Sequence, residues 1–364
     1  MRTDDGPWYP LTDSLASPPT FQPFRDGPVS IEPLTLPRSR HALMLPLITQ
    51  VTPGLRRYAY GRLRIAAAAL YARVLAPVIV SRLAGADLVH MWGGDLLGAA
   101  AVRAARTAGI PVVVTPFAHR HQWADDPASA RTYRTADRVI SLLETDRGWY
   151  RELGVPAERI EVSGVCAPAS RVGGAGHIRS RYEILGPVVL YLGVRRSYKG
   201  VDVLLRAAEE VSSVRPDTTF AFIGPGPQLP PTRGARVLDI GQVDDATRAA
   251  WLEAADVLCL PSGGEIFPLS ILEAWSVQRP VLTSDLPALR ELLAKSGGGM
   301  TAAREPRAFA GAILTMLQNP SAARAMGESG RRFWAAHHTP QTVAEWHERL
   351  YRSLIEQEAV ACVS

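Results

Sequence analysis

Cysteine is scarce in this chain of 364 residues, and the cysteines stand far apart. Cys166, Cys259 and Cys362 are odd in number and lack the close spacing of a metal site or a disulfide framework. This usage is typical of proteins from a reducing compartment. The chain does not open on the apolar run of a signal peptide, and no uncharged apolar stretch is long enough to span a bilayer. We therefore expect a cytoplasmic protein.

Acidic residues are missing from one long segment, which contains neither aspartate nor glutamate between Leu34 and Ala86. Its arginines are Arg38, Arg40, Arg56, Arg57, Arg62, Arg64, Arg73 and Arg82, with Tyr58, Tyr60, Leu63 and Ile65 interleaved. Such a segment suits an anionic membrane surface, which would make the protein peripheral to a membrane. The alternative is a solvated helix of an arginine-rich protein. Nucleic acid is not expected as a partner, because no recognised binding module accompanies the charge.

Lysine is rare, since the 40 basic residues include only Lys199 and Lys295. Lys199 stands between an apolar run at residues 188–192 and a stretch beginning at Val201 whose apolar residues have helical spacing. A cation at a helix start opposes the helix dipole, so a merely solvated lysine is disfavoured there unless an anion binds. Because an ammonium group is a compact point charge, we interpret Lys199 as a phosphate ligand.

Two glutamates, Glu265 and Glu273, stand eight positions apart in a second segment of the same kind. An apolar run at residues 257–260 ends at Pro261, and a helix is predicted from Leu269. The first turn of that helix offers free N–H groups to an anion, and the two carboxylates can accept hydrogen bonds from hydroxyl groups. The glutamate spacing alone is common by chance. Together with Lys199, the segment predicts a site for a nucleotide sugar.

Residues 188 to 334 resemble the donor-binding domain of retaining glycosyltransferases with the GT-B fold, and glycosyltransferase family 4 in particular. The resemblance is carried by four segments in matching order, at residues 192–200, 222–227, 265–274 and 279–283. Each segment alone is a weak signal, whereas the four together with their spacing are specific. The alternation of strand and helix along the chain agrees with parallel sheets.

The resemblance implies an α/β protein of two Rossmann-like domains that face each other across a cleft. We expect an acceptor-side domain over residues 1–168 and a donor-binding domain over residues 177–338. A final helix over residues 341–358 is expected to cross back to the first domain. Family members usually begin with a strand and a glycine-rich loop. No such segment stands before Val29, so the first domain is expected to be shortened.

Three catalytic residues follow from the resemblance. Lys199 matches the residue that contacts the diphosphate, and Glu265 matches the glutamate near the transferred sugar. His119 matches a histidine that hydrogen-bonds the sugar or its leaving phosphate, although His121, or neither, is an alternative. Glu273 matches the residue that holds the ribose hydroxyl groups.

Further donor contacts are also implied. In the family an arginine directly follows the glycine that stands here as Gly193, but this chain has Val194 there. Arg195 or Arg196 is expected to take over that contact. The remaining matched positions are Val243 beside the base and the backbone of Ile266, Phe267, Pro268 and Leu269 around the phosphates and sugar. Pro268 has no N–H to donate.

The implied activity is transfer of a hexose, with retention, from a UDP- or GDP-sugar to a hydroxyl of a glycan, lipid or small molecule. A lipid-linked acceptor in cell-wall or exopolysaccharide synthesis would suit the basic segment. No Asp-x-Asp motif occurs, so we expect neither a metal ion nor a cofactor. Two alternatives remain: a catalytically weakened partner of another transferase, suggested by the shortened first domain, and a sugar-nucleotide epimerase or phosphorylase.

Overall fold

The chain divides by its contacts into two compact units. The structure, a computed structural model, describes residues 23–32, 34, 56–93, 96–118, 120 and 124–361. Within them, the first unit runs to Ser141, resumes over residues 147–162 and takes up the chain again at Leu350. The second unit consists of residues 142–146 and 163–349.

The first unit is built on a parallel sheet of four described strands, in the order β3-β4-β5-β6. Its elements are the antiparallel hairpin β1 (Phe24–Asp26) and β2 (Val29–Ile31), α1 (Arg56–Val80), β3 (Val89–Trp92), α2 (Leu96–Ala108), β4 (Val112–Thr115), α3 (Pro127–Thr135), β5 (Arg138–Ser141), α4 (Glu144–Glu152) and β6 (Ile160–Val162). Each of these strands except those of the hairpin pairs in parallel with its neighbour. The strand and helix alternation expected from the sequence is therefore confirmed here.

Helix α1 packs its apolar side into the first unit. Tyr71 and Leu75 are buried in a cluster with Ala100 of α2 and Ala128 of α3. The helix continues through Pro77 to its end. No helix in the described part of the chain is both long enough and apolar enough to cross a membrane.

The predicted membrane-facing segment is only partly described. Arg62 and Arg73 are exposed on α1, whereas Arg82 forms an ion pair with Glu32. Arg38 and Arg40 lie outside the described residues, as do the side chains of Tyr58, Tyr60 and Leu63. Membrane binding by this segment stays a prediction.

The second unit is built on a parallel sheet of six described strands, in the order β12-β11-β10-β7-β8-β9. Its elements are α5 (Ala175–Arg181), β7 (Val188–Leu192), α6 (Val201–Val214), β8 (Thr219–Ile223), β9 (Arg236–Gly241), α7 (Asp245–Ala254), β10 (Val257–Leu260), α8 (Leu269–Ser276), β11 (Val281–Ser284), α9 (Pro287–Ser296), β12 (Gly299–Ala302), α10 (Pro306–Gln318), α11 (Pro320–His337) and α12 (Pro340–Ala361). The helix expected at residues 341–358 is thus present as α12. Its residues belong to the second unit as far as Arg349 and to the first unit from Leu350.

The strand order of the second unit reverses between β7 and β10. From β7 the chain proceeds through β8 to β9 on one side, and it then returns to place β10, β11 and β12 on the other side. In open α/β sheets, ligands bind at the carboxyl ends of the strands at such a reversal. The loops that follow β7 and β10 carry Lys199 and Glu265, so the topology places both residues at the reversal.

The segment that leads into α5 is held within the second unit by one carboxylate. Glu253 of α7 accepts hydrogen bonds from the backbone N–H groups of Gly173, Gly174 and Ala175 at 2.7, 2.8 and 3.1 Å. Burial favours a higher pKa for Glu253, but the three N–H groups outweigh it and lower the pKa below its ordinary value. The chain therefore enters α5 in a fixed direction.

Trp275 of α8 lies fully buried in a slot walled by glycines. Its Nε1 donates to the Gly298 carbonyl at 2.9 Å. A Cβ atom at Gly330 of α11 would lie 2.2 Å from Trp275 Cδ1, which is far inside van der Waals contact. Helices α8 and α11 therefore approach closely only because residue 330 has no side chain.

We predict that Gly330→Ala destabilises the protein by about 1–3 kcal/mol, because the indole ring has no room to move aside. Gly311→Ala on α10 is the matched control, since no atom lies within 4 Å of a Cβ there. The control should gain about 0.5–1 kcal/mol from the better helix propensity of alanine. Urea unfolding midpoints measure both. Equal shifts of the two variants would contradict this packing argument.

Candidate functional site

Lys199 and Glu265 form an ion pair between the loops that follow β7 and β10. Lys199 Nζ lies 2.7 Å from Glu265 Oε1, and the two side chains are 19% and 7% exposed. Lys199 ends a short 3-10 turn over Ser197–Lys199, and Gly200 then adopts a left-handed conformation before α6 begins. Glu265 Oε2 accepts no hydrogen bond from the described residues. The two residues predicted to meet a diphosphate and a sugar are therefore brought together.

A hydrogen bond from the buried Ser262 hydroxyl group fixes the position of the Glu265 carboxylate. Ser262 Oγ donates to Glu265 Oε1 at 2.6 Å, the same oxygen that Lys199 contacts. The Ser262 carbonyl in turn accepts a hydrogen bond from Ser284 Oγ at the end of β11. Both serines are buried. Sequence reasoning missed Ser262, and its position three residues before Glu265, at the end of a buried strand, was the available signal.

Arg195 is engaged by the protein itself. Its guanidinium donates to the Gly224 carbonyl from Nε and Nη2 at 3.1 and 3.0 Å, and to the Pro227 carbonyl from Nη1 at 3.0 Å. Nη1 also pairs with Asp239 at 2.8 Å. Burial would raise the pKa of Asp239, but the hydrogen bonds from Arg195 and the Leu229 N–H outweigh burial and lower it.

The donor contact expected from Arg195 or Arg196 is therefore better placed on Arg196. Arg195 is 8% exposed, and its bonds hold the loop after β8 against β9. Arg196 is exposed, and its side chain forms no hydrogen bond or ion pair with a described residue. It lines an open cavity of about 500 Å³ together with Ser197 and Arg304.

Glycines let the backbone of three strand ends converge. The Gly193 N–H donates to Ile223, and the Gly224 N–H donates to Gly241, at 3.0 and 2.8 Å. A Cβ atom at Gly224 would lie 2.0 Å from the Gly193 carbonyl oxygen. Val243 follows this convergence and is half-buried just before Asp244, the N-cap of α7. The backbones at the ends of β7, β8 and β9 therefore contact each other directly, with no room for a side chain at residue 224.

Helix α8 begins without a capping side chain. Its N-cap residue is Pro268, and its first turn holds no acidic residue. Leu269 is 50% exposed and Ile266 is half-buried. Backbone N–H groups in a first turn that no side chain caps are available to an anion.

Phe267 points into the second unit and packs on His338, with 5.3 Å between the ring centroids. His338 Nδ1 donates to the Val165 carbonyl at 2.8 Å, and burial lowers its pKa. Phe267 thereby anchors the loop, so only its backbone can line the site. Contact of this backbone with a donor stays a prediction.

Glu273 lies on α8 beside Arg248 of α7. Arg248 Nη2 is 3.2 Å from Glu273 Oε1, and the Glu273 side chain is 17% exposed. Burial raises the pKa of Glu273, Arg248 opposes this shift, and Asp245 adds to it. The ionised form of Glu273 is therefore energetically costly in the folded protein.

The candidate histidines His119 and His121 lie outside the described residues.

Sequence comparison finds relatives among transferases that act on sugars. Phosphatidyl-myo-inositol mannosyltransferase of Mycobacterium leprae is 38% identical over 146 residues, which are 38% of this chain and 39% of that protein. The enzyme of the same name from Mycobacterium tuberculosis is 34% identical over 197 residues, half of each protein. The chain thus spans half or less of the length of these relatives. The alpha-D-kanosaminyltransferase of Streptomyces kanamyceticus is 25% identical over 68% of this chain and 72% of its own.

Solved structures share the fold at low identity. Sucrose-phosphate synthase from Thermosynechococcus elongatus superposes with a TM-score of 0.67 at 20% identity, over 83% of this chain and 80% of its own. HepE from Anabaena, in complex with UDP and glucose, superposes with a TM-score of 0.66 at 16% identity, over 77% and 81%. These likenesses show the GT-B fold expected from the sequence.

Family models match both parts of the chain. The model described as "Glycosyl transferase 4-like domain" matches residues 12–166, and the model described as "Glycosyl transferases group 1" matches residues 186–319. Together they account for most of the chain. With its two parallel α/β units and the fold of these structural neighbours, the chain belongs to the group 1 glycosyltransferases of the GT-B fold.

Proposed function

We propose that this protein is a retaining glycosyltransferase that moves a hexose from a UDP- or GDP-sugar to an acceptor hydroxyl without a metal ion. The observation that carries the proposal is the pairing of Lys199 with Glu265 at the strand-order reversal. A cation for phosphate and a carboxylate for sugar hydroxyls lie there side by side. Family membership supports the same activity.

The loops that follow β7 and β10 carry three sources of positive potential. They are the Lys199 ammonium, the exposed Arg196 guanidinium and the N-terminus of α8, where the loop after β10 ends. A leaving nucleoside diphosphate gains negative charge as the bond to the anomeric carbon breaks. Preorganised cations and N–H groups stabilise that charge in the transition state. In this proposal the protein's own groups supply the stabilisation that a bridging metal ion supplies elsewhere.

Donor binding changes the partner of Lys199. In the structure the ammonium is neutralised by Glu265. An incoming diphosphate competes for the same ammonium, and Glu265 is then free to accept hydrogen bonds from sugar hydroxyl groups. Glu273, eight residues further on, is assigned the ribose hydroxyl groups. The side chain of Ser262 keeps Glu265 in place during this exchange.

The acceptor is proposed to be a lipid-linked or glycan hydroxyl. The mycobacterial relatives are mannosyltransferases of phosphatidyl-myo-inositol by name, and the basic segment from Arg38 to Arg82 would suit an anionic membrane surface. We propose a cytoplasmic protein that works at the inner face of the membrane. HepE was solved with UDP and with UDP-glucose, so both UDP-glucose and GDP-mannose are donors to test.

Isothermal titration with UDP-glucose and GDP-mannose tests the donor site. We expect saturable binding of one donor, and Lys199→Ala should weaken it about 10- to 100-fold, because a charge-assisted hydrogen bond contributes about 1.5–3 kcal/mol. Glu273→Ala should weaken it as well. Lys295→Ala is the matched control, since Lys295 is the other lysine and pairs with Glu291 on α9. Unchanged binding by the Lys199 variant, or no binding by the intact protein, would refute the assignment.

The raised pKa of Glu273 predicts opposite effects on binding and on stability. A carboxyl group whose pKa is higher in the folded state than in the unfolded state destabilises the fold once it is ionised. The free energy of unfolding therefore falls as pH rises from the unfolded pKa to the folded pKa. Glu273→Gln should therefore raise the melting temperature at pH 7 while it weakens donor binding. The gain should vanish below about pH 4.5, where the unfolded state is also protonated.

Differential scanning fluorimetry between pH 4 and pH 8 measures this effect. Glu328→Gln on α11 is the control, because Glu328 is exposed and has no described partner; its melting temperature should follow that of the parent protein at each pH. Arg248 also pairs with Asp245 at 3.3 Å, so it should retain a partner when Glu273 is replaced. A lower melting temperature for Glu273→Gln at pH 7 would show that the Arg248 pair outweighs burial.

A further inference from the structure

Arg304 stands in the loop between β12, which is an edge strand of the sheet, and α10. Strand β12 is separated from β7 by β11 and β10. The guanidinium nevertheless reaches back across those strand ends to the loops of Lys199 and Glu265.

The guanidinium of Arg304 bridges one carbonyl group in each of these loops. Nε donates to the Pro261 carbonyl at 2.9 Å, and Nη2 donates to the Ser197 carbonyl at 3.2 Å. Pro261 precedes Glu265 by four residues, and Ser197 precedes Lys199 by two. Among the described residues, Arg304 has no carboxylate partner. Its hydrogen-bonding capacity is therefore directed at the backbone of the site.

The same two loops also touch each other directly. The Gly263 N–H donates to the Tyr198 carbonyl at 2.6 Å. A Cβ atom at Gly200 would lie 2.0 Å from the Pro261 oxygen, and one at Gly263 would lie 3.3 Å from Arg304 Cζ. The loops are thus joined at two backbone contacts, and Arg304 covers the junction and ties both sides of it.

We propose that Arg304 is a positioning residue of the donor site, which staples the two loops and so presets the distance between Lys199 and Glu265. The inference rests on the proposed function for its kinetic consequence, while the staple itself is a property of the free protein. Arg304 acts through the backbone and does not itself contact the reacting atoms in this assignment.

The geometry requires an arginine. The two carbonyl oxygens are met by different nitrogens of one planar group, which a guanidinium presents in a fixed fork. An ammonium at the end of a flexible chain offers a point charge without that fork. Arg304→Lys therefore keeps the positive charge near the site but relaxes the bridge, and it separates an electrostatic role from a positioning role.

The test compares donor binding and turnover in Arg304→Ala and Arg304→Lys, with UDP-glucose or GDP-mannose as the probe, whichever the intact protein binds. We expect kcat to fall about tenfold or more in the alanine variant, because small displacements of reacting groups are costly. The lysine variant should recover only part of that loss. Arg307→Ala, an exposed arginine three residues away, should behave as the parent protein. Full recovery by lysine would overturn positioning in favour of charge.

A double-mutant cycle with Lys199→Ala distinguishes positioning from a general loss of stability. If Arg304 acts by placing Lys199, the alanine change at residue 304 should cost at most about twofold in kcat/KM once Lys199 is absent. Costs that multiply independently in the double variant would overturn the proposal. The melting temperature of each variant is measured alongside.

Hydrogen exchange of the free protein separates this inference from the proposed function. In Arg304→Ala, the amide protons of residues 262–267 should exchange faster than in Arg307→Ala, because the junction at Gly263 loses its cover. Unchanged exchange there would overturn the staple even if the protein binds a donor. Faster exchange in a protein that binds no nucleotide sugar would support the role of Arg304 in holding the two loops together and would refute the donor assignment.

Discussion

The parallel pairing of β7 with β10 is the constraint on which the site depends. Val189 pairs with Val257 and Leu190 with Leu258, so Leu192 and Leu260 end their strands level with each other. The loops that follow therefore start side by side, although about 70 residues separate them in sequence. A shift of register by one residue would displace the start of one loop from the other by about 3.3 Å, the rise per residue of a parallel strand. The 2.7 Å contact of Lys199 with Glu265 is thus a consequence of how the core of the sheet packs.

Loops whose starting points are fixed in this way need few side-chain contacts of their own. The strand ends converge through Gly193, Gly224 and Gly241, and the polar side chains nearby are used to fix backbone. Arg195 holds the loop after β8, and Arg304 holds the loops after β7 and β10. Both arginines therefore donate hydrogen bonds to backbone carbonyl groups of the protein itself. Preorganisation of this kind is what electrostatic stabilisation of a leaving group requires, because a fixed dipole loses no energy in reorienting.

The sequence was sufficient to predict the secondary-structure elements around Lys199 and Glu265, because these depend on local periodicity. Strands β7 and β10 lie at the predicted apolar runs, and α8 begins at Leu269 as predicted. Contacts that depend on tertiary placement were not predictable. Ser262 and Arg304 act on residues that the fold brings near them, and the choice between Arg195 and Arg196 required knowing which one is buried. Gln278 has a φ of +60°, in the left-handed region that favours glycine, and nothing in the structure explains a glutamine there.

Stability and function make opposite demands on the same few residues. Burial of Glu273 raises its pKa and Arg248 opposes that shift only in part, so the charge of Glu273 remains a cost to the folded protein. Lys199 differs, because Glu265 neutralises it in the structure and the cost of a buried cation is avoided. A diphosphate that takes Glu265's place must therefore offer more than one carboxylate does. In the proposed function, its two negative phosphates would contact Lys199, Arg196 and the start of α8 together, which would provide that surplus. The ion pair thereby favours a doubly charged ligand over a singly charged one.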